Sequence, residues 1–182
     1  VIIFKSSKLE LIERQSFEFS AINEIRLPAR IKQIGPKAFY CCQYLQKLDF
    51  SDDSELISIE DNAFTQTSIY EIILPKKTKI IQQSAFCECE NLQSLKFQEN
   101  SELTFIGDDA FYQTGINDIC IPSHAKYIRK SAFCNCASLT KASFFIGNLE
   151  QIYENAFLNC SALESIEFNS RYWIYLTSIN FD

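Results

Sequence analysis

The 182 residues carry 17 Lys and Arg against 23 Asp and Glu, a net charge of −6 that excludes the basic stripe nucleic-acid binding requires. At 47% hydrophobic residues the chain can bury a real core, as one domain or an elongated array, and four Gly and four Pro are too few for linkers. No apolar run approaches the ~18 residues of a membrane-spanning helix, and with no Met even at position 1 a larger parent chain is expected.

The chain is periodic from end to end. One phenylalanine recurs at Phe17, Phe39, Phe64, Phe86, Phe111, Phe133, Phe157 and Phe181, with spacings of 22, 25, 22, 25, 22, 24 and 24. The residue before it is small in seven of the eight (Ser16, Ala38, Ala63, Ala85, Ala110, Ala132, Ala156). Five residues ahead of the first seven stands Ile: Ile12, Ile34, Ile59, Ile81, Ile106, Ile128 and Ile152. After each Phe comes an L-x-x-L-x-L segment. In chain order these are Ile22/Ile25/Leu27, Leu45/Leu48/Phe50, Ile69/Ile72/Leu74, Leu92/Leu95/Phe97, Ile116/Ile119/Ile121, Leu139/Ala142/Phe144 and Leu163/Ile166/Phe168.

Such a register predicts a solenoid. The alternation in L-x-L is the period of a half-buried strand, and short strands stacked at ~4.8 Å make one parallel sheet. I-x-x-x-A-F places Ile and Phe as on one helical or 3₁₀ turn facing inward, with Ala leaving room for close stacking.

The unit I-x-x-x-A-F-x-x-C-x-x-L-x-x-L-x-L, with Pro28, Pro75 and Pro122 after alternate strands, resembles the BspA-like (Treponema pallidum-type) leucine-rich repeats over nearly the whole chain. The resemblance implies an α/β solenoid: a leucine-rich-repeat right-handed coil with one parallel β-sheet of about eight short strands and short helical or 3₁₀ turns on the opposite side. It forms a single domain over residues 1–182, with seven to eight repeats. It further implies a non-enzymatic protein–protein interaction module of a cell-surface adhesion-type protein, binding host or cell-surface proteins. The alternative is an intracellular or structural scaffold on the same solenoid, since reduced thiols suit the cytoplasm.

The cysteines fit this register. Three residues after each Phe stand Ser20, Cys42, Thr67, Cys89, Thr114, Cys136 and Cys160, all small and able to hydrogen-bond. A metal site would not accept Ser and Thr in alternate turns, whereas free Cys packs as a small hydrophobe. Cys42, Cys89 and Cys136 lie two turns apart, ~10 Å by strand spacing and beyond the ~7 Å reach of a disulfide. Cys136 and Cys160, on adjacent turns, are the ladder pair within reach. Cys87 and Cys134 occupy a variable row (Tyr40, Thr65, Tyr112, Leu158) and are expected to be semi-exposed.

No catalytic constellation stands out. The lone His124 aligns with Arg30 and Lys77, and Cys120 with Arg26 and Ile73, both variable outward positions. The pairs Asp52–Asp53 and Asp108–Asp109 fall in solvated returns, and no nucleophile-elbow, phosphate-loop or zinc-protease motif occurs. An enzyme, a cofactor and a metal are not expected.

The returns after the strands alternate in sign: PARIK (28–32), SDDSE (51–55), PKKTK (75–79), QENSE (98–102) and PSHAK (122–126). Stacked turns place these charges beside one another, so this edge is expected to satisfy itself. The outward strand rows are then the candidate surface: Glu24, Lys47, Glu71, Ser94, Asp118, Lys141, Ser165; then Ile2, Arg26, Asp49, Ile73, Lys96, Cys120, Ser143, Glu167; then Phe4 through Phe145 and Asn169. Arg26, Lys47, Asp49, Ile73, Lys96 and Lys141 are the candidate protein-binding residues. Val1–Ile3 aligns with Leu48–Phe50 and Phe181 with the repeat Phe. Residues 171–179 depart furthest from the pattern, with Trp173 placed to shield the last turn. Neither end reads as a polar cap, so either a larger parent or end-to-end self-association is expected.

Overall fold

Each turn of the chain contributes one longer and one two-residue strand. The computed structural model describes residues 2–3, 8–145 and 147–169; the expectations placed on Val1, Phe4, 171–179, Trp173 and Phe181 lie outside them. In chain order the strands are β1 (Ile2–Ile3), β2 (Leu11–Ile12), β3 (Glu24–Leu27), β4 (Gln33–Ile34), β5 (Lys47–Phe50), β6 (Ser58–Ile59), β7 (Glu71–Leu74) and β8 (Ile80–Ile81). They continue as β9 (Ser94–Phe97), β10 (Phe105–Ile106), β11 (Asp118–Ile121), β12 (Tyr127–Ile128), β13 (Lys141–Phe145), β14 (Gln151–Ile152) and β15 (Ser165–Asn169).

The odd-numbered strands stack in sequence order as an eight-stranded parallel sheet, the long sheet. The even-numbered ones form a second, seven-stranded parallel sheet, the short sheet. Leu27 pairs with Phe50 and Leu74 with Phe97 in the long sheet, and Ile34 with Ile59 and Ile81 with Ile106 in the short one. Ile2 pairs with Ile25 and Ile3 with Arg26, one residue off the alignment that set Ile2 beside Arg26. A slip of one residue exchanges the two faces of a strand.

This arrangement corrects the expected α/β coil with one sheet and helical turns. The molecule is a β-solenoid with two parallel sheets, and no helix occurs among the described residues. The repeat Ile is the inward residue of a short strand, not the start of a helical turn. The physical reason lies two residues either side of each Phe. Lys37 and Cys41 have φ of 55°, Asn62 56°, Gln66 59°, Ser84 53° and Glu88 58°, and the other turns match. Left-handed residues cannot continue a right-handed helix.

Their effect is to turn alternate amides along the solenoid axis. Lys37, Phe39 and Cys41 donate to Asp61, Ala63 and Thr65 oxygens of the next turn at 2.9, 2.8 and 2.9 Å. Ala38, Tyr40 and Cys42, between them, donate back three residues to Gly35, Lys37 and Phe39. All six amides are satisfied without a helix. Each left-handed residue costs about 1–2 kcal/mol, which the inter-turn bonds, about 0.5–1.5 kcal/mol each, and the burial they permit offset.

The core runs between the sheets. Phe39, Phe64, Phe86, Phe111 and Phe133 are fully buried. With Phe17 and Phe157 they form one continuous stack, ring centroids 5.0 to 5.4 Å apart and planes within 9°. Ile25, Leu27, Ile72, Leu74, Ile119 and Ile121 close it from the long sheet and the row of Ile from the short one. Packing between turns is tight enough to require glycine: a Cβ on Gly107 would lie 2.6 Å from the carbonyl carbon of Gln82, and one on Gly115 2.3 Å from the Glu90 oxygen.

Candidate functional site

Positions 2 and 4 of the long strands are drawn into the core, so positions 1 and 3 form the outer face. Register sets Glu24, Lys47 and Glu71 in one row and Glu71, Ser94, Asp118, Lys141 and Ser165 in its continuation. In the adjacent row Arg26 lies opposite Asp49, and Ile73 opposite Lys96. Lys47 Nζ pairs with Asp49 Oδ2 at 3.4 Å on its own strand, and Lys141 Nζ with Glu167 Oε1 at 2.8 Å on the neighbouring one. Arg26, Lys47, Ile73, Lys96 and Lys141 are exposed and Asp49 is half-buried. Ser143 departs from its row and is buried.

The structure brings Lys47, Asp49 and Ile73 together around a shallow depression of about 160 Å³, completed by Asp52, Glu71 and Gln98. Arg26, Lys96 and Lys141 lie outside it. At that volume it receives a side chain rather than a small-molecule ligand, whose pockets run to ~300–1,000 Å³. Ile73 is 52% exposed at its rim. Two exposed tyrosines stand in the returns that lead into long strands. Tyr70, 54% exposed, immediately precedes β7, and Tyr44, 66% exposed, lies in the return before β5. The signal was in the rows: the positions aligned with Tyr70 are Asn23, Gln46, Gln93, Asn117, Thr140 and Glu164, all polar, so an aromatic among them stands out.

The short sheet carries a second outward surface that sequence reasoning missed. Ile80, Phe105 and Tyr127 line a depression of about 310 Å³ with Gln82, Thr104 and Lys126. Two-residue strands give no alternation to read, so this row was not recognised as a face.

The charged edge pairs turn against turn. Glu10 accepts from Lys32 at 2.8 Å and Arg30 at 3.1 Å; Lys79 meets Glu102 at 3.5 Å, and Lys126 meets Glu150 at 3.5 Å. Arg129 Nε reaches Asp108 at 3.2 Å and Lys130 reaches Glu154 at 2.6 Å. Hydrogen bonds from Lys32 and Arg30 hold the Glu10 carboxyl below the usual glutamate range, Lys130 does so for Glu154, and the Tyr127 hydroxyl, then Lys126, for Glu150.

The thiol row is internal. Cys42, Cys89 and Cys136 are fully buried, and their Sγ–H groups donate to the Phe17, Phe64 and Phe111 oxygens of the turn before at 2.9, 3.0 and 3.1 Å. Ser20, Thr67 and Thr114 contact the same sulfurs at 3.4, 3.3 and 3.1 Å. Burial pushes the Cys87 and Cys89 thiols up, to about 12 and about 11. Cys87 is half-buried, whereas Cys134, expected to be semi-exposed, is only 6% exposed. His124 and Cys120 are exposed, as are Asp52 and Asp53. No group of three or more His, Cys, Asp or Glu with metal-binding geometry occurs among the described residues.

The fold is similar to that of a T. pallidum leucine-rich repeat protein, TpLRR: 23% identity, TM-score 0.74, covering 84% of this chain and 71% of that one. It is also similar to the pneumococcal vaccine antigen PcpA, at 21% identity and TM-score 0.55, covering 87% of this chain. The chain spans 56% of that antigen. No curated protein matches it in sequence. The profile of the BspA type leucine-rich repeat region matches six copies over residues 2–59 and 57–180. With these repeats spanning almost all of its length, the chain belongs to the BspA-type leucine-rich repeat family.

Proposed function

We propose that the chain is a non-enzymatic protein-binding module that docks a partner protein on the outer face of the long sheet, within a cell-surface adhesion-type protein. The observation that carries this reading is the exposed Ile73 at the depression lined by Lys47, Asp49 and Glu71, with exposed Tyr44 and Tyr70 just ahead of β5 and β7. Tyrosine is enriched at interface hot spots, and charged residues at the polar rim around them. The face is a hydrogen-bonded sheet, so little conformational entropy is lost on docking. Arg26, Lys96 and Lys141, on β3, β9 and β13, extend the contact across the strands. Support for a surface setting comes from the similarity to PcpA, which is described as a vaccine antigen.

A second reading, an intracellular or structural scaffold, draws on the eight free thiols, which suit a reducing compartment. The parent gene separates the two, since a leader or anchor supports the surface reading and the absence of both supports the scaffold. The binding face is tested with beads coated with the chain and scored for adhesion to cultured cells. Replacing Lys47, Ile73 and Lys96 together by Ser should abolish attachment with folding intact. Undiminished attachment, combined with its loss on Phe105→Ser/Tyr127→Ser, would overturn the assignment to the long sheet.

A further inference from the structure

Thiols and hydroxyls alternate along the internal row from Ser20 to Cys136, until Cys136 is followed by Cys160. This is the one place in the row where two thiols are neighbours. The two turns are in close register there: the Phe133 and Phe157 rings stack 5.4 Å apart, and Asn135 N–H donates to Leu158 O at 2.8 Å. Turn spacing of that size falls within the ~4.4–6.8 Å between Cα atoms that a disulfide spans. Both thiols donate to the turn before, Cys136 to Phe111 O and Cys160 to Phe133 O, each at 3.1 Å, so the two sulfurs hold the same place in consecutive turns. Where Cys42, Cys89 and Cys136 face the preceding turn, a hydroxyl takes the neighbouring place and no such chemistry is open to them.

We propose that Cys136 and Cys160 are an oxidisable pair that closes into a disulfide clamping the Phe133 turn to the Phe157 turn. When Cys136 ionises, the Cys160 S–H turned from Phe133 O toward it, and then the Thr114 hydroxyl at 3.1 Å, hold it below the ordinary thiol range, so Cys136 is the first nucleophile. Cys136 is fully buried and Cys160 is 8% exposed, which selects a water-sized oxidant such as hydrogen peroxide. The Cys136 thiolate attacks peroxide and becomes a sulfenic acid, releasing hydroxide that takes up the thiol's proton as water. The Cys160 sulfur then displaces the hydroxyl from Cys136, and its own proton leaves with that group as a second water. Two thiols lose two electrons and two protons, and one peroxide accepts them all.

The test is a non-reducing tryptic map of the native chain after peroxide treatment. Peptide 131–141, carrying Cys136, should be found joined to peptide 142–171, carrying Cys160, with the mass of the pair lower by two hydrogens. The link should persist in Cys134→Ser and vanish in Cys160→Thr, which installs the residue the row itself uses at Thr67 and Thr114. Oxidation should raise the thermal midpoint of the parent, reversibly with dithiothreitol, and leave that of Cys160→Thr unchanged. Peptides that stay separate in the native protein, a link that survives in Cys136→Thr, or one that forms only in urea would each overturn the proposal.

Discussion

The two sheets are both parallel and both in register, yet different forces hold them. In the long sheet, side-chain alternation does the work: two inward residues per strand fix the register and leave two outward positions free to vary. In the short sheet one Ile faces inward, and the chain passes at once into a turn whose conformation is dictated by the main chain. One wall of the solenoid is therefore held in register by its side chains, and the other by main-chain bonds that accept Lys, Cys, Asn, Gln, Ser or Glu at the left-handed positions.

Substitutions sharpen that contrast, beginning with the stack between the walls. Phe86→Ala should destabilise by about 3–5 kcal/mol, because the ring is fully buried between two others. Urea unfolding measures it, and a loss below that range would mean the turns collapse to fill the space. Gly107→Val, just past the short sheet, should cost about 1–3 kcal/mol through its clash with the Gln82 main chain. Asn62→Val, at φ 56°, should cost about 1–2 kcal/mol in the same assay. On the long sheet the Lys47, Ile73 and Lys96 triple replacement should stay within about 0.5 kcal/mol of the parent. If it destabilises as much as Asn62→Val, the contrast between the walls fails.

The smallest effect belongs to the charged edge. Glu10, Glu150 and Glu154 have folded values below their unfolded ones. Their contribution is thus present above the ordinary glutamate range and lost as pH falls through the lowered values. Added salt should flatten the acid limb of a pH–stability profile, since these pairs are exposed and screened. An acid limb indifferent to salt would assign acid sensitivity elsewhere.

Much of the architecture was written in spacings. Phe17 through Phe157, the row of Ile and the alternating Leu positions announced the coil, the core and the long sheet. The short sheet was hidden because its strand has one inward residue, and because I-x-x-x-A-F has the separation of a helical turn. The left-handed positions gave only a partial signal: Asn62, Asp109, Asn135, Asn155 and Asn159 suit that region, but Lys37, Cys41, Gln66, Ser84 and Glu88 do not. Their conformation is imposed by hydrogen bonds to the next turn, which single-residue preferences do not report. On the candidate surface, Lys47, Asp49 and Ile73 followed from alternation alone. Tyr44 and Tyr70 escaped because they sit just ahead of the strands, where no alternation marks a face.

The axial hydrogen bonds that replace the helix also govern how the molecule bears load. Each strand pairs only with those of the turns before and after it. Tension drawn along the stack therefore pulls these bonds open in line and peels one turn before the next is disturbed. Each turn that detaches releases 22 to 25 residues, about 80 Å of extended chain, where a spacing of ~5 Å had been. The solenoid is thus a stepwise extensible spring: it yields length in discrete instalments while the remaining turns keep their shape and the outer face of the long sheet.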